Sequence, residues 1–126
     1  MRRRLLMIDD DADIREVAAL SVETMGGWEM LQAGTGEEGI AKAEMENPDA
    51  ILLDLMMPDV DGRTTLKRLK DNSKTAGIPV VLLTAKTQGM NLDELKELGL
   101  ADFLPKPFDP MTLCSDISRV LGWEYE

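Results

Sequence analysis

Apolar positions in this chain fall into two patterns. Three short unbroken runs stand at 5–8 (LLMI), 50–53 (AILL) and 80–83 (VVLL). They do not alternate with polar residues, so they predict strands covered on both faces, as in a parallel sheet. Weaker strand signals lie at 28–32 and 102–104. Between the runs, apolar residues recur with helical spacing. Ile14, Val17, Ala18, Val22 and Met25 predict a first helix, stopped by Gly26-Gly27. A second helix over 37–46 carries Ile40, Ala41 and Met45 on one face and ends before Asn47-Pro48. Leu66 and Leu69, set among basic residues, predict a third. Leu92, Leu95 and Leu98 predict a fourth, ended by Gly99. A fifth spans 110–121, with Asp109 as N-cap and Pro110 at the first helical position. Five strand-then-helix units with short connections, and no linker between them, predict one α/β domain over 1–126. Its architecture is a doubly wound five-stranded parallel sheet, (βα)5, with right-handed crossovers.

In such sheets ligands bind beyond the carboxyl ends of the strands. The residues expected there are Asp9 and Asp10 after strand 1, Asp54 after strand 3, Thr84 after strand 4 and Lys106 after strand 5. Three carboxylates converging on one rim call for a cation. Only oxygen ligands are on offer, which points to a hard ion, Mg²⁺ first. A carboxylate beside such an ion can attack a phosphoryl group, because the ion offsets the repulsion between two anions. Lys106 and Thr84 would donate to phosphoryl oxygens. Asp11, the third acid in LLMIDDD, reads as the cap of helix 1.

Composition narrows the partners. The chain has 126 residues, is 44% hydrophobic and carries a formal charge of −10, which argues against a direct grip on nucleic acid. Arg2, Arg3 and Arg4 read as a solvated strand edge. The sequence has no histidine, so His-based metal sites and bases are excluded. A single cysteine, Cys114, cannot form an internal disulfide and reads as an inert, partly buried residue. No apolar run approaches the roughly 18 residues of a membrane span, and a cytoplasmic location is expected. Two motifs fail as alternatives. The EF-hand-like start at Asp9 has Ile14 and Leu20 where that loop needs Gly and Glu. DVDGRTT follows Met57-Pro58 instead of an apolar strand, and 59–62 reads as the turn into helix 3.

The acids in MIDDD, the stretch LLDLMMPDVDG, the hydroxyl in LLTAK and the segment GLADFLPKPFDP, in that order, resemble a response-regulator receiver domain over essentially the whole chain. The resemblance implies a flavodoxin-like fold with strand order 2-1-3-4-5. It implies that Asp54 is the phosphoacceptor, and that Mg²⁺ is held by Asp9, Asp10, Asp54 and the Met56 backbone carbonyl. Thr84 and Lys106 would hold the phosphoryl group, and Thr84 with Phe103 would form the switch pair. A cis peptide is implied between Lys106 and Pro107. Met56 and Lys86 would occupy the positions that tune autodephosphorylation. The implied partners are a sensor histidine kinase or phosphotransfer protein, meeting helix 1 at Ile14, Arg15 and Ala18, and a downstream protein target or an output domain removed from this chain. A monomer or a weak phosphorylation-dependent dimer is expected, acting as a switch and not as a turnover enzyme. Two competing readings are a pseudo-receiver that binds partners constitutively, marked by loss of a key residue, and a Mg²⁺-dependent phosphatase, which needs a substrate cap.

Overall fold

The computed structural model describes residues 2–54, 62–84 and 92–123. The elements alternate as β1 (Arg4–Ile8), α1 (Ala12–Gly26), β2 (Glu29–Ala33), α2 (Gly36–Glu46) and β3 (Ala50–Asp54), followed by α3 (Gly62–Asp71), β4 (Val80–Thr84), α4 (Leu92–Glu97), β5 (Asp102–Pro105) and α5 (Leu113–Leu121). Met56, Lys86, the expected turn at 59–61 and the side chain of Leu92 lie outside the described residues.

All four strand pairings are parallel, and the sheet order is β2-β1-β3-β4-β5. This is the expected order. It places the reversal of winding between β1 and β3, where a crevice opens at the strands' carboxyl ends. Every residue of β3 and β4 is buried, because alternate side chains feed two separate cores. Leu5, Met7, Leu52, Val81 and Leu83 pack beneath α1 and α5. Leu6, Ile8, Ile51, Leu53 and Leu82 pack beneath α2, α3 and α4.

The helices present small faces to the sheet, and this corrects two expectations. On α1 the buried residues are Ala18, Ala19, Ser21 and Val22, while Val17 and Met25 are exposed. On α2 they are Gly36, Gly39, Ile40 and Ala43, while Ala41 is exposed and Met45 is 82% exposed. The reason is close approach. A Cβ on Gly39 would stand 2.3 Å from Ile8 Cδ1 and 2.6 Å from its Cγ1. The helix therefore turns the side carrying Gly36, Gly39 and Ala43 inward, and Met45 points out. Gly39→Ala is expected to lower stability by about 1–3 kcal/mol, the usual effect of overpacking, as measured by urea denaturation.

Asp11 caps α1 as expected, accepting from the N–H groups of Asp13 and Ile14. The fifth helix starts later than its sequence pattern suggests. Residues 110–112 form a turn closed by Asp109, whose carboxylate accepts from Met111 N at 2.8 Å and whose carbonyl accepts from Thr112 N at 3.0 Å. Thr112 is the N-cap of α5, without a side-chain capping bond. The Ser21 hydroxyl donates to the Pro110 carbonyl, tying this turn to α1.

Arg2, Arg3 and Arg4 are not simply solvated. Arg4 pairs with Glu29 at 2.8 Å and Glu46 at 2.7 Å. Arg2 donates to the Gly27 carbonyl. The Arg3 guanidinium lies 4.0 Å from the centroid of the Trp123 ring, which meets Trp28 edge-on at 5.5 Å. This aromatic clasp joins the end of α5 to the amino-terminal side of the sheet, opposite the acidic rim.

Cys114 is 2% exposed, and burial pushes its thiol from 9.0 up to about 11. Between those values the folded chain keeps a proton that the unfolded chain releases. Stability due to Cys114 is therefore intact below pH 9 and lost as pH rises toward 11. Native protein at pH 8 is expected to resist iodoacetamide. From pH 8 to pH 10 its urea midpoint is expected to fall further than that of Cys114→Ser.

Candidate phosphoacceptor and metal site

Three strand ends build the rim. Ile8 ends β1, and Asp9 follows it with its N–H on the Ala33 carbonyl at 3.0 Å. Asp54 is the last residue of β3, paired in register with Leu83, so Thr84 lies one residue further along β4. Thr84 takes the Lys106 N–H on its carbonyl at 2.9 Å, which carries the β4–β5 ladder on to Lys106. The Lys106–Pro107 peptide is cis.

Asp9, Asp10 and Asp54 each offer a carboxylate oxygen, and these oxygens lie within 4.8 Å of one another. Asp9 is fully buried, Asp54 and Thr84 are each 4% exposed, and Asp10 opens to solvent. The Lys106 ammonium sits between two of the acids, 2.8 Å from Asp9 Oδ2 and 3.2 Å from Asp54 Oδ2. Burial alone would pull the Lys106 ammonium down. The hydrogen bond to Asp9 and the charges of Asp54 and Asp9 outweigh it, so its pKa lies above the ordinary lysine value. The second oxygen of Asp9 accepts from Asp11 N at 2.9 Å.

These donors fit Mg²⁺. All are hard oxygens, and three carboxylates against one ammonium leave the four groups with an excess of negative charge that a divalent cation offsets. Oxygens on opposite sides of Mg²⁺ are about 4.2 Å apart. A cluster within 4.8 Å matches that span after a small contraction, or with one acid acting through water.

Beside the rim runs a cleft of about 610 Å³. Asp10, Asp54 and Lys106 stand at its polar end, and Ile14, Val17, Pro107, Phe108 and Pro110 form its apolar walls. Pro107, Phe108 and Pro110 carry no sequence signal for this wall, which only the fold brings to the rim. Phe103 is half-buried on β5, packed against the core beneath α2, α3 and α4. Of the helix 1 residues expected to meet a partner, Ala18 is fully buried and unavailable. Ile14 is half-buried, and the exposed large apolar residues of that helix are Val17, Leu20 and Met25.

Comparison with known proteins agrees with this geometry. The family model described as "Response regulator receiver domain" matches residues 5–118. The chain belongs to that family. It is 40% identical over 118 residues to the DNA-binding dual master transcriptional regulator RpaA of Synechocystis sp., covering 94% of this chain and 48% of that protein. It is 38% identical to the phosphate regulon transcriptional regulatory protein PhoB of Pseudomonas aeruginosa, covering 94% and 52%. The chain thus spans about half the length of these relatives. PilH of Pseudomonas aeruginosa is 34% identical, with 94% and 98% covered. The chemotaxis protein CheY4 of Vibrio cholerae superposes with a TM-score of 0.88 at 31% identity, covering 95% and 99%. Receiver domains are phosphorylation-dependent signalling switches that interact with histidine kinases and downstream targets, and they bind Mg²⁺ at an acidic pocket. No helix among the described residues is long and apolar enough to cross a membrane.

Proposed function

We propose that this chain is a phosphorylation switch whose acceptor is Asp54, working with Mg²⁺. The observation that carries the reading is the Lys106 ammonium between Asp9 and Asp54, at the mouth of three converging carboxylates. A sensor histidine kinase or phosphotransfer protein presents a phosphohistidine at the cleft. An oxygen of Asp54 attacks phosphorus, the P–N bond breaks, and the imidazole leaves and takes up a proton. Asp9, Asp10 and Asp54 would hold Mg²⁺, with the Met56 carbonyl as the further ligand that the family likeness implies, and the bound ion would supply charge neutralisation for the phosphoryl oxygens. Lys106 donates to one of those oxygens and Thr84 to another.

The new group adds a charge of about −1 to the rim relative to ionised Asp54. Thr84 moves toward it, and Phe103 turns into the space behind. The surface of α4, β5 and α5 then changes its preference for a downstream protein or an output domain. Water later displaces the Asp54 carboxylate from phosphorus and releases inorganic phosphate, at a rate that the family likeness gives to the residue types at positions 56 and 86 to tune. One receiver unit accounts for every described element. The pseudo-receiver reading has no missing residue to support it, since Asp9, Asp10, Asp54, Thr84 and Lys106 are all present.

Incubation with acetyl phosphate tests the proposal. Intact mass is expected to rise by one phosphoryl group with Mg²⁺ and to stay unchanged with a chelator. Labelling that persists in the chelator would remove the metal from the reading.

A further inference from the structure

We infer that Arg15 is a positioning residue for the acidic cluster, fixing the main chain at Asp9 and through it the direction of Asp10. The inference rests on the metal-assisted reading above. Arg15 lies in the first turns of α1, on the helix face that the family likeness assigns to the kinase. Its guanidinium is instead engaged within the domain. Nη1 donates to the Asp9 carbonyl at 2.6 Å, and Nε donates to Gln32 Oε1 on β2 at 3.3 Å. The residue is half-buried. One planar, permanently charged group thus joins α1, the end of β1 and the edge strand, which a single lysine point charge cannot do with the same geometry.

Asp9 is consequently held at four points. Its N–H binds the Ala33 carbonyl, its carbonyl takes Arg15, and its carboxylate takes Asp11 N and Lys106. The Asp9 carbonyl belongs to the peptide plane that leads into Asp10. Clamping that plane sets ψ of Asp9 and φ of Asp10, and therefore where the exposed Asp10 carboxylate points. The Asp11 N–H on the Asp9 carboxylate spans the same peptide as an Asx turn, and Arg15 fixes the carbonyl of that plane in addition.

Two effects of Arg15 on a divalent cation have opposite signs, and this makes the inference testable. As a charge, Arg15 repels the ion, so its removal should tighten binding. As a clamp, it orders two of the ligands, and loss of an outer-shell partner of this kind weakens metal binding by about 10–100-fold. Binding of Mn²⁺ can be followed by the electron paramagnetic resonance signal of the free ion, well below the unfolding temperature. The expected result is Mn²⁺ binding about 10-fold weaker in Arg15→Met, with Arg15→Lys recovering part of the loss. Gln32→Leu, on an edge strand and less disruptive to folding, is expected to weaken binding about 2–3-fold. Equal or tighter binding by folded Arg15→Met would overturn the positioning role while leaving the metal site intact. Absence of Mn²⁺ binding by the wild type would instead overturn the metal reading, and this inference with it.

Discussion

Asp54→Asn is expected to abolish labelling by acetyl phosphate while leaving the fold intact. The rim offers three carboxylates, but they are not equivalent nucleophiles. Both oxygens of Asp9 are engaged, one by the Asp11 amide and one by Lys106, and the residue is fully buried. Asp10 is exposed and stands at the edge of the cleft. Asp54 ends a central strand, reaches the cleft, and has Lys106 Nζ at 3.2 Å to steady an incoming phosphoryl oxygen. An amide at this position forms no stable acyl phosphate, so the adduct disappears entirely. Because Asn conserves shape and removes one of three mutually repelling charges, thermal unfolding without metal should change little or rise.

Lys106→Met is expected to have the largest effect on stability. Asp9 is fully buried and the Lys106 side chain is 16% exposed, so their contact is shielded from water and salt. Removing one member of such a pair leaves a buried charge without its cation, which costs about 3–5 kcal/mol. The Asp11 N–H still reaches Asp9 and puts the loss toward the lower end of that range. Urea denaturation in the presence of a chelator measures it. Mg²⁺ should then stabilise the variant more than the wild type, because an ammonium no longer competes for the same oxygens. Phosphorylation by acetyl phosphate should slow by about 100-fold or more, the usual effect of losing one donor to a transition-state oxygen. A variant with wild-type stability in chelator would contradict the geometry at Asp9.

Much of this was readable from residues alone. The unbroken apolar runs at 50–53 and 80–83 identified β3 and β4, because strands covered on both faces leave no polar alternation. A parallel sheet puts its ligand beyond the carboxyl ends of its strands, and acids, hydroxyl and lysine at those ends marked the site before any contact was known. Helix faces were less legible. Of Ile40, Ala41 and Met45 only Ile40 faces inward, because the sheet accepts the helix where Gly39 lets Ile8 approach. Glycine leaves no mark in a count of apolar side chains. Pro110 is well suited to a first helical turn, but Asp109 closes residues 110–112 into a separate turn ahead of α5. Arg15 was hidden for a different reason. Its acceptors lie on β1 and β2, and their adjacency is a property of the sheet. Its proximity to the acids in sequence was a signal, but an arginine in a helix normally faces water.

The identity of the side chain that takes the phosphoryl group is open to direct chemical reading. An acyl phosphate is reduced by borohydride to an alcohol, which converts a phosphorylated aspartate to homoserine. Treatment with acetyl phosphate and Mg²⁺, followed by borohydride and peptide mass mapping, reads the position directly. Homoserine at position 54 alone is the predicted result. Homoserine at position 9 or 10, or at no position despite a phosphoryl gain in intact mass, would contradict the assignment of Asp54.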